Sequence, residues 1–221
     1  MIVTLDGPAG SGKSSAAQGL ADRLGWLHLN TGAMYRAVTL AALRRGIDLA
    51  DATALAALAG SPGLEFKPGV VRIDGVDPGK DLRGAAVNEA IKAVADCPAV
   101  RGALVLRQRL LAEGIDLVTE GRDQGTVVFP AAELKVYLTA SREVRARRRF
   151  AEEAARRPGI TLADILAEQD RRDADDRGRQ HGALRVPADA VEVDTDRLTC
   201  AGVVDTLVGL VASRRSAGGV A

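Results

Sequence analysis

Apolar positions along the chain follow two rhythms. Short clustered runs at Ile2-Val3-Thr4-Leu5, Trp26-Leu27-His28-Leu29, Leu117-Val118-Thr119, residues 134–140 and residues 190–195 read as strands. Between them, apolar residues recur at spacings of three and four. Ala17, Leu20, Ala21 and Leu24 mark a helix from Ser14 to Leu24, ended near Gly25. The same spacing predicts helices over Tyr35–Arg45, over Ala52–Ala59 and from about Ala85 to Ala112, the last interrupted at Cys97-Pro98. Ser141 caps a long charged helix, and Thr161 caps another through about Arg172. A closing helix covers Cys200–Ser213, followed by a frayed tail over residues 216–221. The stretch Leu64–Arg83 breaks the rhythm. Its turn signals, Pro68-Gly69 and Asp74-Gly75, predict a small meander of two or three strands.

Strands alternating with helices predict an α/β chain with a parallel sheet covered on both faces, and the meander and its helices as an insertion. Ligands in such folds collect at the carboxyl ends of strands, where Asp6, Glu120 and Thr139 fall.

The length, 221 residues, suits one domain with a sizeable core. No apolar run approaches the roughly 20 residues that cross a bilayer. The first strand begins at Ile2 and leaves no room for a signal peptide, so a cytoplasmic protein is expected. Cys97 and Cys200 with His28 and His181 do not have the spacing of a structural zinc site. A net charge of +1 gives no basic field to recruit nucleic acid, and residues 142–185 carry 12 basic against 9 acidic residues, too balanced for such a surface. No exposed apolar stripe is evident, so a monomer is the default. Arg outnumbers Lys 25 to 5, so position rather than number must identify the functional arginines.

Residues 7–14, Gly7-Pro8-Ala9-Gly10-Ser11-Gly12-Lys13-Ser14, fit G-x-x-x-x-G-K-[ST] between a predicted strand and a predicted helix. Glycines let backbone N–H groups turn inward as an anion nest, and the helix adds the positive end of its dipole. Lys13 reaches the outer phosphates, and the Ser14 hydroxyl, followed by Ser15, belongs to the magnesium shell. The ligand is a nucleoside triphosphate. A guanine-reading Asn-Lys-x-Asp and a Leu-Ser-Gly-Gly signature are both absent, which leaves mainly small kinases. Three stretches are candidates for the acceptor: "NTGAMYR" with Thr31 and Arg36, "EGRD" with Glu120, Arg122 and Asp123, and "RRDADDRGR" with Arg172, Asp176 and Arg179 along one helix face. Read from residue types alone, the first two could be surface ion pairs and the third a solvated helix with internal pairs.

Taken in order, "DGPAGSGKSS", "TGAMYRAVTLAAL", "VNEAIKAVADCPAVRGALVLRQR", "EGRDQGTVVFP" and "RRDADDRGR" cover nearly the whole chain and resemble the bacterial cytidylate kinases. The resemblance implies a three-layer phosphate-loop kinase fold with a central parallel sheet. Its core would be about 1–35, 105–148 and 185–215, with an inserted nucleotide-binding lobe at about 36–104 and a short helical lid at about 149–180. It implies transfer of the γ-phosphoryl group of magnesium-ATP to CMP or dCMP. The ATP would lie on residues 7–15, and Lys13, Arg36 and Arg122 would be catalytic. The acceptor phosphate would meet Thr31, Arg36 and Arg122, the cytosine Lys92, Arg101, Asp123 and Arg179, and the sugar Arg172 and Asp176. Arg148 or Arg149 would close over the phosphates. Four positions depart from the family's usual residues: Lys92 replaces a serine, Asn30-Thr31 an Asp-Ser pair, and Glu120 an aspartate. A kinase for another small alcohol or acid and a slow ATP-hydrolysing regulator are the alternatives.

Overall fold

In the computed structural model, which describes residues 1–67, 69–155 and 157–218, the elements follow in the order β1 (Ile2–Asp6), α1 (Lys13–Leu24), β2 (Leu27–Asn30), α2 (Thr31–Arg44), α3 (Ala52–Gly60), β3 (Leu64–Lys67), β4 (Val70–Ile73), α4 (Ala85–Asp96), α5 (Pro98–Leu111), β5 (Leu117–Gly121), β6 (Leu134–Thr139), α6 (Arg142–Glu153), α7 (Leu162–Gly178), β7 (Val191–Asp194) and α8 (Cys200–Gly218). Pro68 of the expected Pro68-Gly69 turn, and residues 219–221 of the expected frayed tail, lie outside the described residues. The chain divides into two compact units, Met1–Trp26 with the chain from Leu117 onward, and Leu27–Asp116.

In the first unit the strand order is β5-β1-β6-β7, all parallel, which is the α/β architecture with a central parallel sheet that the sequence rhythm predicts. Register decides what each face does. Val3 pairs with Val118 and Leu134, and Leu5 with Val136. These residues meet Ala16, Ala17, Leu20 and Ala21 of α1 and Val203, Leu207 and Val211 of α8 in one apolar core. The opposite face is polar yet buried. Thr4 lies between Thr119 and Lys135, and Asp6 between Gly121 and Tyr137. This face is met by a π-helical turn over Gln124–Val128, which the sequence reading did not anticipate. Thr119 donates to Gln124 Oε1 (2.9 Å), and Lys135 is held by both oxygens of Asp189 (2.9 Å each).

The second unit contains α2 to α5 and an antiparallel β3–β4 hairpin. The third meander strand reduces to a single bridge between Ile73 and Val76 across the Asp74-Gly75 turn. Arg107 of α5 joins the unit's parts: its guanidinium donates to the carbonyls of Ala59, Ser61 and Leu64 and stacks on Phe66 at 4.6 Å. One boundary moved. α2 begins at Thr31 rather than Tyr35 because Asn30 caps it, its side chain accepting the Ala33 N–H at 2.9 Å. Gly32 lies within the first turn. Likewise α7, entered through a Thr161–Asp164 capping box, runs past Arg172 to Gly178. Among the described residues no helix is long and apolar enough to cross a membrane.

Candidate active site

The phosphate loop leaves β1 at Gly7, where φ is +150° and an added Cβ would lie 2.1 Å from the Leu138 carbonyl oxygen. Only glycine fits that passage. At the far end, α1 starts after Gly12 with no side-chain cap and no acidic residue in its first turn, so its positive end remains suited to an incoming anion. Lys13 folds back over the loop, donating to the Pro8 carbonyl (2.6 Å) and to Ser11 Oγ (3.3 Å). Burial, then the Arg122 charge, hold its pKa well below the ordinary lysine range, with Glu120 and Asp6 opposing. Phosphate oxygens arriving beside it would favour the ammonium form. Ser14 Oγ donates to Glu120 Oε1 at 2.7 Å. Glu120 pairs with Leu5 in the sheet register, which turns its carboxylate toward α1. A hydroxyl and a carboxylate at the mouth of a phosphate-binding loop are the hard oxygen donors that suit magnesium, so Ser14 and Glu120 fit that ion.

Asp6, at the carboxyl end of β1, is fully buried. Its two oxygens accept the N–H groups of Gln124 (2.9 Å) and Gly125 (2.7 Å). It thus pins the turn that begins with Arg122 and Asp123 to the strand feeding the phosphate loop. Burial lifts its carboxyl from 3.8 to about 6. The two N–H groups and Lys13 work against that rise, and Asp123 adds to it.

"EGRD" and "RRDADDRGR" come together within the first unit. Arg122 Nε donates to Asp176 Oδ2 at 2.7 Å, and Arg179 Nη2 to Asp176 Oδ1 at 3.0 Å. One buried carboxylate therefore holds two forked cations. Burial would raise Asp176, but Arg122, with Arg172 and Arg179, outweighs it and keeps the carboxyl below its ordinary range. Asp123 is buried, and Arg172 half-buried. α7 is not a solvated helix: Gln169, Asp173 and Asp176 form a buried polar stripe along it.

In the second unit, Thr31 is buried in the first turn of α2. Arg36 donates to Asn88 Oδ1 (2.7 Å) and the Leu82 carbonyl (3.0 Å). Arg101 is buried, its guanidinium 5.6 Å from the centre of the Tyr35 ring and bonded to the Ala95 carbonyl. Lys92 is exposed.

Three residues with no role in the sequence reading, Arg145, Asp173 and Thr195, support the loop. Arg145 Nη1 donates to the Ala9 carbonyl (3.0 Å) and Nη2 to Asp173 Oδ2 (2.7 Å). Arg148 donates to Thr195 twice, and Thr195 Oγ1 reaches the Ser11 carbonyl at 3.3 Å. Arg149 pairs with Glu153 at 2.8 Å. The signal for Asp173 was its spacing of four and three from Gln169 and Asp176. Arg145, by contrast, is one of five arginines in "SREVRARRRF", and nothing local distinguishes it.

The cytidylate kinase family model matches residues 3–213. Cytidylate kinases from Rhodococcus jostii and Rhodococcus opacus are 48% and 49% identical to this chain, each alignment covering 99% of it and 97% of the relative. The Geobacillus kaustophilus cytidylate kinase is 44% identical over 96% of both chains. Among solved structures, TT1252 from Thermus thermophilus superposes with a TM-score of 0.50 at 18% identity, over 96% of each chain. An uncharacterized Eubacterium ventriosum protein gives 0.52 at 10% identity, over 96% of this chain and 99% of that one. Those two likenesses are of fold alone. The sequence relatives reach further, over nearly the full length and through every motif above: the chain belongs to the cytidylate kinase family.

Proposed function

We propose that this protein transfers the γ-phosphoryl group of magnesium-ATP to CMP or dCMP, giving CDP or dCDP and ADP. The observation that carries this reading is the meeting of a complete phosphate loop with the Arg122–Asp176–Arg179 cluster in one unit. A loop for the donor is thereby joined to a forked cation for a second anion. Free nucleotides as both substrates put the activity in the cytoplasm.

Phosphoryl transfer asks the protein for positioning and charge stabilisation rather than covalent chemistry. The loop's N–H groups and Lys13 hold the donor phosphates. Ser14 and Glu120 would hold the magnesium ion, which supplies positive charge to the phosphate oxygens. Arg122 takes the acceptor phosphate and shares with Lys13 the charge of the transferred group; in the second unit, Thr31 and Arg36 offer a hydroxyl and a guanidinium of the kind that holds a phosphate. Asp176 supports this by aiming Arg122: with Nε on Asp176 and Nη1 on the Gly121 carbonyl (3.2 Å), the guanidinium is held in one orientation for a phosphate.

Asp123 accepts from the exocyclic amine of cytosine, with Arg179 at the base, while Arg172 and Asp176 meet the sugar; Arg101, in the second unit, is of the donor type the family resemblance assigns to the base. Uracil presents a carbonyl in place of that amine and would leave a buried carboxylate facing an oxygen. Sites built on such a bond discriminate strongly. What supports the assignment is the burial of Asp123 and of Arg101. Lys13→Ala tests the mechanism: the protein stays folded by circular dichroism while CDP formation from CMP falls by at least about 1,000-fold. Near-normal kcat in that variant would contradict it.

A further inference from the structure

The charged helix α6 contributes one residue that does not behave as surface. Arg145 is 5% exposed and spends its guanidinium on three targets: the Ala140 carbonyl, the Ala9 carbonyl within the phosphate loop, and Asp173 on α7. The loop also leans on α6, since a Cβ on Gly10 would lie 3.1 Å from the Arg145 Cβ. Asp173 lies between Arg172 and Asp176, the two residues assigned above to the sugar, and Asp176 also grips Arg122. α6 and α7 are joined further by Gln169, which donates to the Arg142 carbonyl (3.0 Å), and by the exposed Arg142–Asp170 pair.

We infer that Arg145 and Asp173 are positioning residues for the acceptor: the pair fixes α7 against the phosphate loop, and so sets where Asp176 holds Arg122. This inference rests on the proposed acceptor role of Arg122 and Asp176. Three features support it over a purely structural role. A buried ion pair contributes little net stability compared with apolar residues of the same shape. Asp173 Oδ1 has no hydrogen-bond partner among the described residues, so the site is not arranged for stability. And the Arg145 fork ends on the carbonyl of a loop residue, where it ties donor-side backbone to the helix carrying acceptor-side groups.

The test separates position from stability. Asp173→Asn leaves Arg145 buried without its counter-charge, and both Tm and CMP binding fall. The double variant Arg145→Met/Asp173→Leu removes both charges, so Tm recovers toward wild type. The inference expects KM for CMP to stay raised by about 10- to 100-fold in that double variant, the scale set by misplacing a positioning group by about an ångström. Return of KM together with Tm would overturn it. Asp173→Glu keeps the charge pair but shifts it by one methylene, and serves if the double variant does not fold: raised KM for CMP with wild-type Tm supports the inference, wild-type KM overturns it. Adding the double variant to Asp176→Ala should raise KM no further than Asp176→Ala alone, because the pair acts through that carboxylate. If Asp176→Ala alone leaves KM for CMP unchanged, the acceptor reading fails and takes this inference with it. If Asp176→Ala raises KM while the double variant does not, the inference alone fails.

Discussion

Replacing Asp6 by asparagine should stabilise the fold at neutral pH relative to acid while weakening catalysis. Burial lifts the Asp6 carboxyl from 3.8 to about 6 even though two backbone N–H groups and Lys13 favour its charged form. A group whose pKa is raised on folding contributes stability that is fully present below the unfolded value and lost as pH rises through the folded one. Two units amount to about 3 kcal/mol, so wild type forfeits about that much between about pH 4 and pH 7.5 through Asp6 alone. Asparagine never ionises and avoids this loss. It does bring one cost: its amide NH2 faces either the Gln124 or the Gly125 N–H, and an unpaired buried donor costs about 1–3 kcal/mol. The assay is urea unfolding of both proteins across that pH range. The stability of Asp6→Asn minus that of wild type should rise by about 3 kcal/mol from the acid to the neutral end. The same variant loosens the turn carrying Arg122 and Asp123, so kcat/KM for CMP should fall by about 10-fold or more. A stability difference flat to within about 1 kcal/mol across the range would refute the reasoning about the buried charge.

Three further outcomes are expected. Gly7→Ala drives a methyl group into the Leu138 carbonyl at a positive φ and should cost at least about 3 kcal/mol, read as a fall in Tm. Asp123→Ala should erode the preference for CMP over UMP by at least about 10-fold in the ratio of kcat/KM, and an unchanged ratio would remove it from the base site. Arg107→Met strips three carbonyls of their donor in the second unit and should lower stability by about 2 kcal/mol while leaving the CMP to UMP ratio alone.

The alternation of strands and helices and the phosphate loop were legible because both are written in local pattern. A strand of four or five residues, a glycine cluster and an apolar helix rhythm fix the loop within about 20 residues of sequence. Thr161 marked a helix start in the sequence, whereas the Asn30 cap, which starts its helix four residues ahead of the expected Tyr35, took the capping geometry to find. The polar face of the sheet was not legible. Asp6 was placed at a strand end, but nothing local linked it to Thr4, Thr119 and Lys135, and only the register, with a turn more than 110 residues away in sequence (Asp6 to Gln124 is a separation of 118), shows them as one buried polar face. The charged helices failed for the opposite reason. Arg145 and Asp173 are two charges among many, and burial, which distinguishes them, follows from how α6 and α7 pack rather than from any local pattern.

The central claim is the reaction itself. Purified protein with magnesium-ATP should be offered CMP, dCMP, UMP, AMP, dTMP and shikimate separately, with ADP and the phosphorylated product both quantified. The account predicts rapid, stoichiometric CDP and dCDP formation from CMP and dCMP and little from the others. ADP formation that does not depend on any nucleotide acceptor, or that responds only to shikimate, would contradict it.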